Sequence, residues 1–143
     1  ADQIAAHTAP LVLTPHPGEF ARLTGQSAPT GIHGRIAVVR EWARNFKCVL
    51  VLKGSPTLIG SPDGTVWLNP TGNNGMACGG TGDVLTGAIA SFLAQGMNAL
   101  DAAICGVYVH GLAGDRAALD LTPRAMIAGD LNAYLPEVFE ALE

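Results

Sequence analysis

Asp83 stands where a glycine-rich turn, Gly79-Gly80-Thr81-Gly82, meets a long apolar stretch. A carboxylate placed against a hydroxyl is a general base. Glycines at a helix start let successive N–H groups curl around a phosphate. Read together, these residues point to phosphoryl chemistry. They also admit a simpler account, in which Asp83 caps its helix and the glycines permit tight packing. The stretch is neither a Walker A loop, whose lysine and hydroxyl it lacks, nor a dinucleotide fingerprint, since no clean strand precedes it.

Other candidates are sparser. His16 lies in PHPG at 15–18, either a simple turn residue or an imidazole held still by prolines. Lys53 closes the apolar run CVLVLK and precedes GSPT. It either snorkels to solvent or serves a ligand. Cys78 has no adjacent base and reads as a packed side chain, not a nucleophile. His110 lies in an apolar helix and reads as a packing histidine, while His7 and His33 fall in loop-like surroundings. Asp101, Asp120 and Asp130 have no paired spacing that requires a metal.

These groups need elements to position them. Residues 11–13 form a short apolar run before the Pro15–Gly18 break, and residues 18–23 read as a short helix stopped by Gly25. Ile36, Val39, Trp42, Ala43 and Phe46 recur at helical period across 35–46. The continuous run at 48–53 reads as a buried parallel strand. Segments 57–60 and 65–69 flank Asp63-Gly64, a hairpin signal. Val84, Leu85, Ala88, Ile89, Phe92 and Leu93 share one helical face. A second helix over 98–118 is apolar nearly all round and belongs in a core. Thr122-Pro123 reads as the start of a last helix, running to about Tyr134 and interrupted by Pro136. The order predicts a layered α/β architecture, but only one or two segments read as central strands. The chain therefore reads as part of a domain.

Composition narrows the class. Of 143 residues, 48% are hydrophobic and only 14% charged, which predicts a surface covered by a homo-oligomeric partner or by more of the same domain. Net charge is −4 with 8 Lys plus Arg, which excludes a broad nucleic-acid surface. Cys48, Cys78 and Cys105 make no complete disulfide framework, so the expected location is the reducing cytoplasm. The first ten residues lack the pattern of a secretion signal, and no run reaches 18 apolar residues, so no membrane span is expected.

Four ordered segments carry a resemblance. NPTGNNGMACGGTGDVLTGAIASFLAQG at 69–96 resembles the signature of the ADP/ATP-dependent NAD(P)H-hydrate dehydratases, members of the ribokinase-like superfamily. LTPHPGEFARL at 13–23 looks like that family's substrate-side loop, and VLKGSPTLI at 51–59 its nucleotide-side segment. HGLAGDRAA at 110–118 is similar as well. The resemblance implies a three-layer α/β fold with a mostly parallel central sheet. It implies that residues 1–143 are the C-terminal portion of a single catalytic domain, whose N-terminal half lies on the same or another chain.

The implied activity is repair of hydrated NADH or NADPH with ADP or ATP as phosphoryl donor and Mg2+ as its companion. Phosphorylation of the ring hydroxyl makes a good leaving group, and phosphate elimination restores the ring. By resemblance, Asp83 is the catalytic carboxylate and touches the hydrated cofactor, as does His16. Gly80, Thr81 and Gly82 present N–H groups to the phosphoryl being transferred. Lys53, Gly54, Ser55, Pro56, Thr57 and Gly82 meet the nucleotide. Glu19 orients His16, and Asn69, Asn73 and Asn74 offer amide support. Asp115 takes a structural role. Two alternatives use the same residues: a ribokinase-like kinase for a sugar or vitamin-precursor hydroxyl, and a non-catalytic nucleotide-binding subunit.

Overall fold

Strand β1, Val12–Leu13, runs parallel to β2, Val49–Leu52, with Val12 opposite Val49 and Leu13 opposite Leu50. Strand β3, Leu58–Gly60, and strand β4, Val66–Leu68, continue the sheet in the order β1-β2-β3-β4, each antiparallel to its predecessor. This is a computed structural model, and it describes residue 4 and residues 6–143. The sequence reading of the first ten residues falls in part on residues 1–3 and 5, outside that set. The helices are α1, Pro17–Thr24; α2, Ile32–Phe46; α3, Thr81–Ala94; α4, Ala99–Ala125; and α5, Ala128–Leu142. A 3-10 turn covers Asn74–Met76.

The sheet corrects one expectation. It is mixed rather than mostly parallel, because only the β1–β2 pair is parallel. The reason is connection length. Between β1 and β2 the chain has room for two helices, whereas β2 and β3 are joined only by residues 53–57. A parallel return needs a dozen or more residues, so the short link reverses the chain. The β3–β4 hairpin forms at the expected place, where Asp63 accepts from the Thr65 N–H at 2.7 Å and from the Ser61 hydroxyl. These bonds hold the Asp63 carboxyl below its ordinary range, the Ser61 hydroxyl contributing most.

The chain divides into two compact units, residues 1–69 with 98–104, and residues 70–97 with 105–143. In the first unit, Phe20, Val39, Leu50, Leu52 and Leu58 are fully buried together, with Trp42 packed beside them. Truncating a buried phenylalanine such as Phe20 costs about 3–5 kcal/mol. Cys48, just ahead of β2, is buried too, and its burial pushes the thiol pKa up to about 11. In the second unit, Val109, Ala113 and Val138 join α4 to α5, and Ala117, Met126 and Leu131 form a neighbouring cluster.

The last helices depart from the sequence reading. The chain does break at Thr122, which is non-helical with φ 64, ahead of Pro123. The helix proper restarts only at Ala128 and runs through Pro136 without stopping. Its start is fixed by Asp130, whose carboxylate accepts from the Ile127 N–H at 2.7 Å. His33, read as a loop residue, lies in the first turn of α2. Among the described residues no helix is long and apolar enough to cross a membrane.

Candidate active site

Parallel strands release their chains on the same side of a sheet, and this delivers three candidate residues to one place in the first unit. After β1 the Pro15 carbonyl accepts from the Lys53 N–H at 2.9 Å, which extends the ladder past β2. His16 then caps α1. Its Nδ1 accepts from the Gly18 and Glu19 N–H groups at 3.0 and 3.2 Å. Glu19 closes the box by accepting from the His16 N–H at 2.7 Å. An Nδ1 that accepts two bonds leaves the proton on Nε2, and Nε2 lies 3.4 Å from Glu19 Oε1. Lys53 Nζ stands 3.5 Å from the other Glu19 oxygen.

Glu19 is thus the hub of this cluster. The His16 backbone N–H is the main cause that holds its carboxyl below the ordinary carboxylate range, with the Lys53 charge adding to it. All three side chains keep contact with solvent, so the neutral His16–Glu19 contact and the Lys53–Glu19 ion pair contribute little stability, the ion pair roughly 0–1 kcal/mol. Their effect is to fix the imidazole and the ammonium in place.

Lys53 opens the loop that joins β2 to β3. Gly54 takes φ 149, and the Thr57 hydroxyl donates to its carbonyl at 3.1 Å. The Ser55–Pro56 peptide is cis. Gly54 and Ser55 are exposed. The far end is tied by the Asn69 N–H, which donates to the Thr57 carbonyl at 2.9 Å. Asn69 itself is buried. Beneath the loop lies Arg35 of α2, a residue with no role in the sequence reading. Its Nη1 donates to the Ser55 carbonyl at 3.2 Å. One signal was present in the sequence: Arg35 falls on the apolar stripe of Ile32, Ile36 and Val39, where a charge is out of place.

The second unit holds the glycine turn. Gly80 is the N-cap of α3 in the left-handed region, φ 94, where a side chain is disfavoured. The N–H groups of Asp83 and Val84 both turn back to the Gly80 carbonyl, at 3.0 and 3.2 Å. Among the described residues no in-chain backbone acceptor meets the N–H groups of Gly80, Thr81 and Gly82. They are the orphan donors of a helix start, at the positive end of its dipole.

Several bonds pin this turn from behind. The Thr81 hydroxyl is placed to donate to the Met76 carbonyl at 2.8 Å or the Cys78 carbonyl at 2.9 Å. His110 Nε2 donates to the Thr81 carbonyl at 2.9 Å, and both residues are buried. Asp115 accepts from the Gly72 N–H at 2.8 Å and from the Asn73 amide at 3.0 Å. Asn73 also donates to the Gly114 carbonyl and accepts from the Gly75 N–H, each at 2.9 Å. Its amide is therefore committed to shaping the loop, while Asn74 beside it is exposed.

Asp83 differs from all of these. It is exposed in the third position of α3, and no hydrogen bond or ion pair within the described chain engages its carboxylate. It does not cap the helix, since Gly80 occupies that position. Asp83 lines a cavity of about 780 Å3 together with Gly87, Ala88, Phe92, Leu135 and Phe139. Among the described residues no group of three or more His, Cys, Asp or Glu side chains converges to hold a metal.

Comparison with known proteins gives this arrangement a context. A bifunctional NAD(P)H-hydrate repair enzyme of Moorella thermoacetica is 53% identical over 134 residues, which covers 94% of this chain and 25% of that enzyme. The crystal structure of the ADP/ATP-dependent NAD(P)H-hydrate dehydratase of Bacillus subtilis, co-crystallised with ATP/Mg2+, superposes with a TM-score of 0.88 at 41% identity. It covers 94% of this chain and 48% of that one. A ribokinase-like superfamily protein of Enterococcus faecalis superposes with a TM-score of 0.68 at 32% identity, covering 90% of this chain and 44% of that one. The fold is accordingly ribokinase-like, with a small mixed sheet. This chain spans about half the length of the two solved proteins and about a quarter of the bifunctional enzyme. Residues 1–137 match the family description "NAD(P)H-hydrate dehydratase", and the chain belongs to that family.

Proposed function

We propose that these residues form the phosphoryl-handling portion of an ADP/ATP-dependent NAD(P)H-hydrate dehydratase. The observation that carries the proposal is the contrast at the start of α3: three open N–H donors stand beside an exposed carboxylate that nothing in the described chain engages. Open donors at a helix start stabilise negative charge as it builds on a transferring phosphoryl group. The free carboxylate accepts the proton of the hydroxyl that attacks. In this reading Asp83 takes the proton from the ring hydroxyl of hydrated NADH or NADPH, and Gly80, Thr81 and Gly82 hold the phosphoryl in transit. The phosphorylated hydroxyl then leaves as phosphate, with the ring nitrogen supplying the electrons, and loss of a proton from the neighbouring ring carbon restores the double bond. His16, its ring set by the two Nδ1 bonds to α1 and by the Glu19 carboxylate beside Nε2, meets the hydrated cofactor. Lys53 and the Gly54–Thr57 loop receive the nucleotide. Magnesium would supply charge neutralisation on the nucleotide phosphates and travel with them.

The complete protein on this reading contains a further, N-terminal half of the domain and acts as a homo-oligomer, which accords with the apolar composition. The three cysteines of this chain are unpaired, which supports a reducing cytoplasmic setting.

The test is product analysis on the complete protein with hydrated NADH and either ADP or ATP. The expected result is recovery of dihydronicotinamide absorbance with release of one phosphate per ring restored. Accumulation of a stable phosphorylated product would favour a kinase, and neither outcome would leave a binding subunit.

A further inference from the structure

Arg35 is a charge without a counter-charge. Its residue is only 7% exposed, yet among the described residues no carboxylate lies within ion-pair distance of it. Its Nη1 donates to the Ser55 carbonyl, and its Nη2 is buried with no hydrogen-bond partner among the described residues. Buried charges are ordinarily paired, because an isolated one loses its hydration and gains nothing in return. Guanidinium remains protonated in proteins even when burial lowers its pKa, as it does here.

The charge is also held close to one piece of backbone. A Cβ built on Gly54 would lie 2.6 Å from Nη2. Only the bare glycine backbone therefore separates the guanidinium from the exposed outer face of the loop. The polar partner it has is a carbonyl, which carries no net charge. A solvent-exposed arginine would scarcely be felt across such a loop. A buried one is poorly screened, and its field extends through the peptide to whatever binds on the far side.

We propose that Arg35 supplies a buried positive charge beneath Gly54 and Ser55 that selects a phosphate-bearing ligand on this loop over its uncharged counterpart. The ligand class is a nucleoside polyphosphate, recognised by charge and not by direct contact with the arginine. This deepens the nucleotide assignment of the Gly54–Thr57 loop and rests on it.

The test compares equilibrium binding of ADP and of adenosine to the complete protein and to Arg35→Met, Arg35→Gln and Arg35→Lys, with thermal melting to establish folding. The expected result is that Arg35→Met lowers the ratio of ADP to adenosine affinity by about tenfold or more, the effect of losing one weakly screened charge. Arg35→Lys keeps most of that ratio. If the methionine variant does not fold, Arg35→Gln carries the test, since it removes the charge while retaining an amide donor toward Ser55. A folded neutral variant whose ratio equals the wild-type value overturns the proposal, because a purely structural arginine weakens both ligands alike. Failure of the unaltered protein to bind ADP overturns the nucleotide assignment itself, and this inference falls with it.

Discussion

Two carboxylates, Glu19 and Asp83, sit in the first turns of two helices, and the chain treats them oppositely. Glu19 is spoken for on every side: the His16 backbone, the His16 ring and the Lys53 ammonium all draw on it. Asp83 has no partner in the described chain, although its surroundings are pinned by Thr81, His110, Asn73 and Asp115. The difference separates two uses of one functional group. A carboxylate that is saturated by its neighbours fixes their geometry. A carboxylate left open on a fixed backbone is available to accept a proton. In each region the hydrogen bonds lie behind the candidate group, an arrangement that would keep a site in register without occupying a ligand's contacts.

The largest expected effect comes from removing the open carboxylate. Asp83→Asn retains size and leaves the Gly80 cap untouched, so folding and nucleotide affinity survive. It cannot act as a base, a function worth about 10²–10⁴-fold in rate. Single-turnover repair with saturating ATP and hydrated NADH measures this in the complete protein. Near-normal turnover would assign Asp83 to structure and erase the contrast with Glu19.

A smaller effect is expected at the ammonium that Glu19 steadies. Lys53→Ala raises the KM for the nucleotide by about tenfold, the loss of one point charge near phosphates. The KM for the hydrated cofactor stays near its wild-type value. Equal changes in both constants would show that the variant loosens the whole first unit.

The smallest effect belongs to Glu19, and it has a pH signature. Its carboxyl titrates below the ordinary 4.5 in the folded chain. The ionised group therefore contributes stability that is fully present above about pH 4.5 and is lost as pH falls through the lowered folded value. Glu19→Gln removes that contribution, so the wild type melts slightly higher at pH 7 and the gap closes as the pH is taken progressively below 4.5. Melting curves of both proteins across this range decide it. A gap that stays constant on acidification would show that the carboxylate charge is irrelevant to the capping box.

Much of this was legible where the signal is local. The glycine cluster before Asp83 marks a helix start because few other residues adopt the conformation of Gly80. Asp63-Gly64 marks the hairpin for the same reason. The His16–Glu19 box spans four residues, and helices α2 and α3 follow from apolar spacing alone. The long-range partnerships were not legible. Asp115 meets Gly72 and Asn73 across more than forty positions, and His110 meets Thr81 across twenty-nine. Nothing in composition links such residues. The valine and leucine run of β2 reads as a buried parallel strand, and it does pair parallel with β1, but the run does not show that β3 returns antiparallel. The sheet is therefore mixed for a reason that lies in the loop after β2, not in the strand. Pro136 was read as a break because proline lacks a donor, yet α5 passes through it.

The burial of Cys48 has a practical consequence. With a pKa of about 11 its thiolate is roughly one part in a thousand at pH 8, and the side chain is also shielded in front of β2. An alkylating reagent added to the folded protein therefore reacts at this position only during excursions that expose the strand. The native sequence carries its own clock for the opening of the first unit, with the half-buried Cys78 as an internal standard in the second. The clock's rate is a stopwatch reading of how long the unit stays shut.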